Sequence, residues 1–163
     1  MEDKLIRLTV NGRDEAVVIQ PLATLQDVLR DTLELTAVKS GCGQGGCGSC
    51  SVLVDGELRL SCLTLAERAE GAEVTTLEGL NATNAIVPLQ QAFVENYAAQ
   101  CGYCTAGMVM AAKALLDRNP APSRDEIIEG LSGNLCRCTG FAPIVRAVQQ
   151  AAQALSDTGE EAS

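Results

Sequence analysis

The chain has 163 residues, enough for one domain or two small ones, and its formal charge of −9 argues against nucleic acid or an anionic membrane as partner. Histidine is absent, which excludes His-ligated metals and any His-based acid–base or triad chemistry. Apolar residues make up 47% but aromatics only 2%, so alanine, leucine and valine must fill the core. The opening Met1-Glu2-Asp3-Lys4 lacks the charged-then-apolar pattern of a secretory signal, and no apolar run approaches the roughly 18–20 residues of a membrane span. A cytoplasmic protein is therefore expected. In that setting eight cysteines point to metal rather than to a disulfide framework.

Residues 4–10 read as a strand with Ile6, Leu8 and Val10 on one face. Asn11-Gly12 is a type I′ hairpin signal, and Ala16-Val17-Val18-Ile19 returns as the second strand. Thr24 reads as the N-cap of a helix with Asp27 at N3 and Leu25, Val28, Leu29 and Leu33 on its apolar side. A cysteine-rich loop follows. Beyond it Ser51–Val54 and Leu58–Leu60 flank the turn Asp55-Gly56, and Glu73–Leu77 reads as a closing strand.

The character changes to helix from about Asn81. One helix is expected from Ala85 to Ala99, and another from Cys104 with a stripe of Met108, Ala111, Ala112, Leu115 and Leu116. Asn119-Pro120 stops it, Ser123 to Glu126 is a capping box for a third, and a fourth runs from Ala142 to Leu155. These stripes are core positions. The residues from Ser156 to Ser163 read as a short polar tail.

The loop Ser40-Gly41-Cys42-Gly43-Gln44-Gly45-Gly46-Cys47-Gly48-Ser49-Cys50 holds three cysteines and five glycines, and Cys62 follows the second hairpin. Cys-x4-Cys-x2-Cys with a distant fourth is the plant-type ferredoxin pattern for a [2Fe–2S] cluster. Four thiolates must converge on two irons, so three come from one tight loop whose glycines let backbone amides approach sulfur. A zinc knuckle or a disulfide loop is the alternative; the x4 gap and the glycine density favour a cluster. The helical half carries a second set, Cys101-Gly102-Tyr103-Cys104 and Cys136-Arg137-Cys138, at helix junctions that an antiparallel bundle can bring to one end. Helix N-termini there would favour an anionic cluster. Spacing alone suits a four-cysteine zinc site as well, although Cys-x-Cys is unusual for a zinc ribbon. Tyr103 reads as a packed aromatic beside this site rather than an electron relay.

The combined pattern resembles the iron–sulfur subunit of the xanthine oxidase family of molybdenum hydroxylases. The carrying motifs are Gly41-Cys42, Gly46-Cys47-Gly48-Ser49-Cys50, Ser61-Cys62, Gln100 through Met108 and Gly133 through Phe141, and they span about residues 4–155. The resemblance implies an α+β chain. Residues 1–79 would form a β-grasp ferredoxin-like [2Fe–2S] domain, and residues 80–163 a four-helix-bundle [2Fe–2S] domain ending in the polar tail. It implies Cys42, Cys47, Cys50 and Cys62 on one cluster, and Cys101, Cys104, Cys136 and Cys138 on the other. A large molybdopterin subunit and a medium FAD subunit are the implied partners, in a dimer of heterotrimers. Gln100 and Cys138 would then touch the pterin, Cys138 also being an iron ligand. Two positions depart from the family: Ala106 stands for a usual Pro, and Phe141-Ala142-Pro143-Ile144 for a usual Tyr-x-x-Ile. The function implied is electron transfer from molybdopterin to FAD, one electron at a time, with no catalytic acid, base or nucleophile in this chain. A stand-alone [2Fe–2S] carrier and a zinc-stabilised interaction module are the readings from other classes.

Overall fold

Two successive positive φ angles, 52° at Asn11 and 75° at Gly12, make the first turn type I′. It joins β1 (Lys4–Val10) to β2 (Arg13–Ile19), which pair antiparallel from Lys4 opposite Ile19 to Val10 opposite Arg13. Asp55 and Gly56 repeat the turn, at 51° and 79°, between β3 (Ser51–Val54) and β4 (Glu57–Leu60). β5 (Glu73–Thr75) slots between the hairpins, parallel to β1 and antiparallel to β3, so the sheet order is β2-β1-β5-β3-β4. This computed structural model describes residues 2–84 and 86–160.

The expected strand 73–77 ends early for a local reason. The side chain of Asn11 takes the Thr76 amide (2.9 Å) and donates to the Thr76 hydroxyl (3.0 Å), so Thr76 leaves the ladder. A short helix α2 (Leu77–Ala82), unforeseen in the sequence, begins at once.

α1 (Leu25–Asp27) opens with the expected Thr24–Asp27 capping box, then widens into a π-type turn over Val28–Thr32. The widening still buries Leu25, Val28 and Leu29 against Ile6, Leu8, Val17, Val52 and Val74 in the first core.

The second core lies among α3 (Val87–Glu95), α4 (Thr105–Arg118), α5 (Arg124–Gly130) and α6 (Ala142–Glu160). The expected start of α3 at Ala85 lies outside the described residues. Its end falls at Glu95, earlier than expected, because the amide and side chain of Asn96 both donate to the Ala92 carbonyl and Tyr97 turns left-handed. The capping box at Ser123 and Glu126 forms as expected. α6 runs on to Glu160, so the start of the expected tail is helical, while residues 161–163 lie outside the described set.

α4 is not striped. Every residue from Ala106 to Ala112 is buried, Val109 and Met110 included, because the helix has the sheet on one side and helices on the other. Strand alternation makes that contact: Val52 enters the sheet core, while Leu53, one residue on, enters the helical core with Leu58 packed beside it. The expected division at 79/80 falls inside α2, whose Leu80 belongs to the helical core. No helix of the described residues is long and apolar enough to cross a membrane.

Gly107 sets how closely α4 lies on the cysteine loop. A Cβ there would stand 2.3 Å from the Gly48 carbonyl oxygen, a backbone atom that cannot swing aside. Gly107→Ala is expected to destabilise the protein by about 1–3 kcal/mol, the usual cost of overpacking. Urea unfolding of the whole chain measures it, and an unchanged midpoint would mean that α4 and the loop are not in contact.

Candidate functional site

All eight cysteines are free thiols gathered in two places. The first is the loop before β3 together with the tight turn Ser61–Leu63 that follows β4. Gly43, Gly45 and Gly48 take φ of 63°, 77° and 69°, which folds the loop around the cysteines. The amides of Gln44 and Gly46 donate to Cys42 Sγ at 3.5 and 3.3 Å. They help bring the Cys42 thiol down to about 7; the Gln44 amide is the largest cause, and the neighbouring Cys47 thiol adds to it. Cys62 goes the other way, pushed up to about 11 by burial and then by Cys50 beside it. Ser61 fastens the turn, its hydroxyl donating to the Cys50 carbonyl at 2.8 Å.

The second place joins the entrance of α4 to the turn between α5 and α6. Cys101 Sγ and Cys138 Sγ lie 3.6 Å apart, both exposed. Cys104 and Cys136 form a half-buried second pair. Burial, reinforced by Cys136, pushes the Cys104 thiol up to about 12. Burial also pushes Cys136 upward, but the Thr139 hydroxyl and the amides of Thr139 and Cys138 outweigh it, leaving that thiol below its ordinary value. Cys138 is raised, chiefly by its contact with Cys101.

At each place, then, the sulfurs come as two pairs: Cys42 with Cys47 and Cys50 with Cys62, Cys101 with Cys138 and Cys104 with Cys136. Such pairs suit a two-metal group in which each iron takes two thiolates. One further atom fits such an occupant: Thr105 Oγ1, beside Cys104, is buried without a hydrogen-bond partner. The first turn of α4 also presents backbone amides beside Cys104, which suits negative charge.

The two places are stitched together by residues that sequence reasoning missed. The Leu135 amide donates to the Cys47 carbonyl at 2.9 Å, so the residue before Cys136 bonds directly to a cysteine of the first loop. Asn134, buried, donates through Nδ2 to the Gly48 carbonyl at 3.0 Å. A Cβ on Gly48 would stand 2.5 Å from that same amide nitrogen. Tyr103, expected as a packed aromatic, is half exposed and donates its hydroxyl to the Ser40 carbonyl at 2.7 Å. The available signal was a polar Asn next to a cysteine turn, which pattern reading treats as a turn former only. Gln100 is exposed, next in sequence to exposed Cys101.

Two family models match in tandem. One, described as a 2Fe-2S iron-sulfur cluster binding domain, covers residues 8–78; the other, a [2Fe-2S] binding domain, covers residues 76–149. The chain is 49% identical over 146 residues to the nicotine 6-hydroxylase small subunit of Paenarthrobacter nicotinovorans, spanning 90% of this chain and 88% of that one. It is 46% identical over 148 residues to the nicotinate dehydrogenase small FeS subunit of Eubacterium barkeri, spanning 91% and 94%. Among solved structures, quinoline 2-oxidoreductase from Pseudomonas putida 86 aligns with a TM-score of 0.88 at 43% identity, covering 98% of this chain and 99% of the matched one. Agreement in sequence and in fold over nearly the whole length has one reading: the chain belongs to the iron–sulfur subunits of the xanthine oxidase family of molybdenum hydroxylases.

Proposed function

We propose that this chain joins a molybdopterin-bearing large subunit to an FAD-bearing medium subunit, as the electron-transfer member of a dimer of heterotrimers. Cys42, Cys47, Cys50 and Cys62 would hold one [2Fe–2S] cluster, and Cys101, Cys104, Cys136 and Cys138 the other. Residues 1–79 and 80–163 would be the respective domains. When bound, such clusters each accept a single electron, so two in series can divide the pair released at molybdenum.

The observation that carries this reading is the bond from the Leu135 amide to the Cys47 carbonyl, which ties one cysteine loop directly to the other. The chain's own contribution is ligation, spacing and tuning. Amides of Gln44 and Gly46 stabilise negative charge on Cys42, and the α4 entrance does so near Cys104. Cys101, Cys138 and Gln100 are exposed, which fits a contact with the pterin through the Gln100 side-chain amide and the Cys138 sulfur. Exposure here serves a buried partner contact in the complex rather than open solvent. Eight free thiols in one chain fit a reducing, cytoplasmic location.

Iron and acid-labile sulfide analysis of the purified chain should give two of each per cluster, with two distinct [2Fe–2S] paramagnetic resonance signals on reduction. Zinc in place of iron would replace this reading with an interaction module. Native purification should retain a large molybdopterin subunit, whereas a chain isolated alone would favour a free carrier. Cys138→Ser should remove or alter the second signal, lower the iron content by up to half and leave the first signal intact. Loss of both signals, or two unchanged signals, would contradict the four-and-four partition.

A further inference from the structure

The turn that carries Cys136 and Cys138 contains a hydroxyl whose single proton has a defined destination. Thr139 Oγ1 accepts the Phe141 amide at 3.2 Å and donates to Cys136 Sγ at 3.0 Å. Accepting the amide fixes the oxygen in place and leaves its proton for the sulfur. The backbone is set for this contact by Gly140 and Phe141, both at positive φ, 66° and 69°. The first site has no equivalent. Ser49 Oγ lies 3.2 Å from Cys47 Sγ but also 3.3 Å from the Lys39 carbonyl, so one proton there has two competing acceptors. Neither Thr139 nor Ser49 is itself a ligand in the four-and-four assignment.

We infer that the Thr139 hydroxyl sets the reduction potential of the cluster in the helical half, raising it by donating a hydrogen bond to the Cys136 sulfur. Reduction adds one negative charge that is shared with the sulfur ligands. A donor to sulfur therefore stabilises the reduced state more than the oxidised one, and the midpoint rises. The effect is confined to one cluster, because Thr139 reaches Cys136 and none of the sulfurs in the first loop carries this contact. The inference rests on the two-cluster reading above, and its test separates the two.

The test is a redox titration of the purified holo-protein, followed by paramagnetic resonance so that each cluster is read by its own signal. Thr139→Val keeps the side-chain shape and removes the donor; Thr139→Ser keeps the donor. In Thr139→Val the helical-half cluster should become harder to reduce by about tenfold in its equilibrium constant, the order of one charge-assisted hydrogen bond, which for a one-electron couple is a downward shift of about 59 mV. The other cluster should not move, and Thr139→Ser should restore the wild-type midpoint. Should Thr139→Val fail to load its second cluster, Thr139→Ala, which also lacks the donor, is titrated in its place. An unmoved midpoint in a donor-less variant, an equal shift in both clusters, or loss of the second signal in both Val and Ala variants would overturn the inference. A wild-type protein with a single [2Fe–2S] signal would instead overturn the two-cluster reading itself.

Discussion

Close approach of two backbones is the constraint on which this structure depends. The Cys47–Gly48 segment receives the Leu135 amide and the Asn134 side chain from one direction and lies against Gly107 of α4 on another. Two of the three, at Asn134 and at Gly107, leave no room for an added Cβ. Gly48 is bound twice over, by a left-handed φ and by the lack of room for a Cβ beside Asn134. The buried Gly48 carbonyl also accepts the Ser51 amide at 3.1 Å and the Ser51 hydroxyl at 2.7 Å, so the turn into β3 and the Asn134 side chain meet on one oxygen. The distance between the cysteine loops is therefore fixed by several contacts that converge on one short segment.

Backbone amides act on a cysteine sulfur at both places, but what accompanies them differs. In the first loop, amides folded inward by glycines face Cys42, while Cys62 sits in apolar surroundings that disfavour its thiolate. In the helical half, a side-chain hydroxyl and a helix entrance are added to the amides of Thr139 and Cys138. Loop amides are fixed by the backbone and are hard to vary singly; a hydroxyl can be changed one atom at a time. A two-centre electron conductor gains from that difference, since its centres can be adjusted separately.

Much of this was legible in the sequence because it depends on local rules. Asn11-Gly12 and Asp55-Gly56 dictate I′ turns, Thr24 and Ser123 dictate capping boxes, and the matching family model bears out the cluster-binding domain that the spacing and glycines of the Cys-x4-Cys-x2-Cys loop favoured. What was not legible depends on partners distant in the chain. Thr76 leaves its strand because of Asn11, sixty-five residues away. α4 loses its amphipathic stripe because β3 covers the face that would otherwise meet water. Asn134 and Thr139 look like ordinary turn residues until the fold sets Gly48 and Cys136 within their reach. The pairing of sulfurs within each set of four was likewise beyond spacing, which names the members of a set but not their neighbours.

One feature of β3 bears on how such a protein could be taken apart. Adjacent residues of a four-residue strand, Val52 and Leu53, are embedded in opposite hydrophobic interiors. A truncation that kept only the sheet would bare Leu53 and Leu58 to water, and the helices alone would lose the flank of α4 that those residues cover. Two recognisable sequence families in tandem thus share one strand between their interiors, and grafting either half elsewhere would require a new lining for the exposed side.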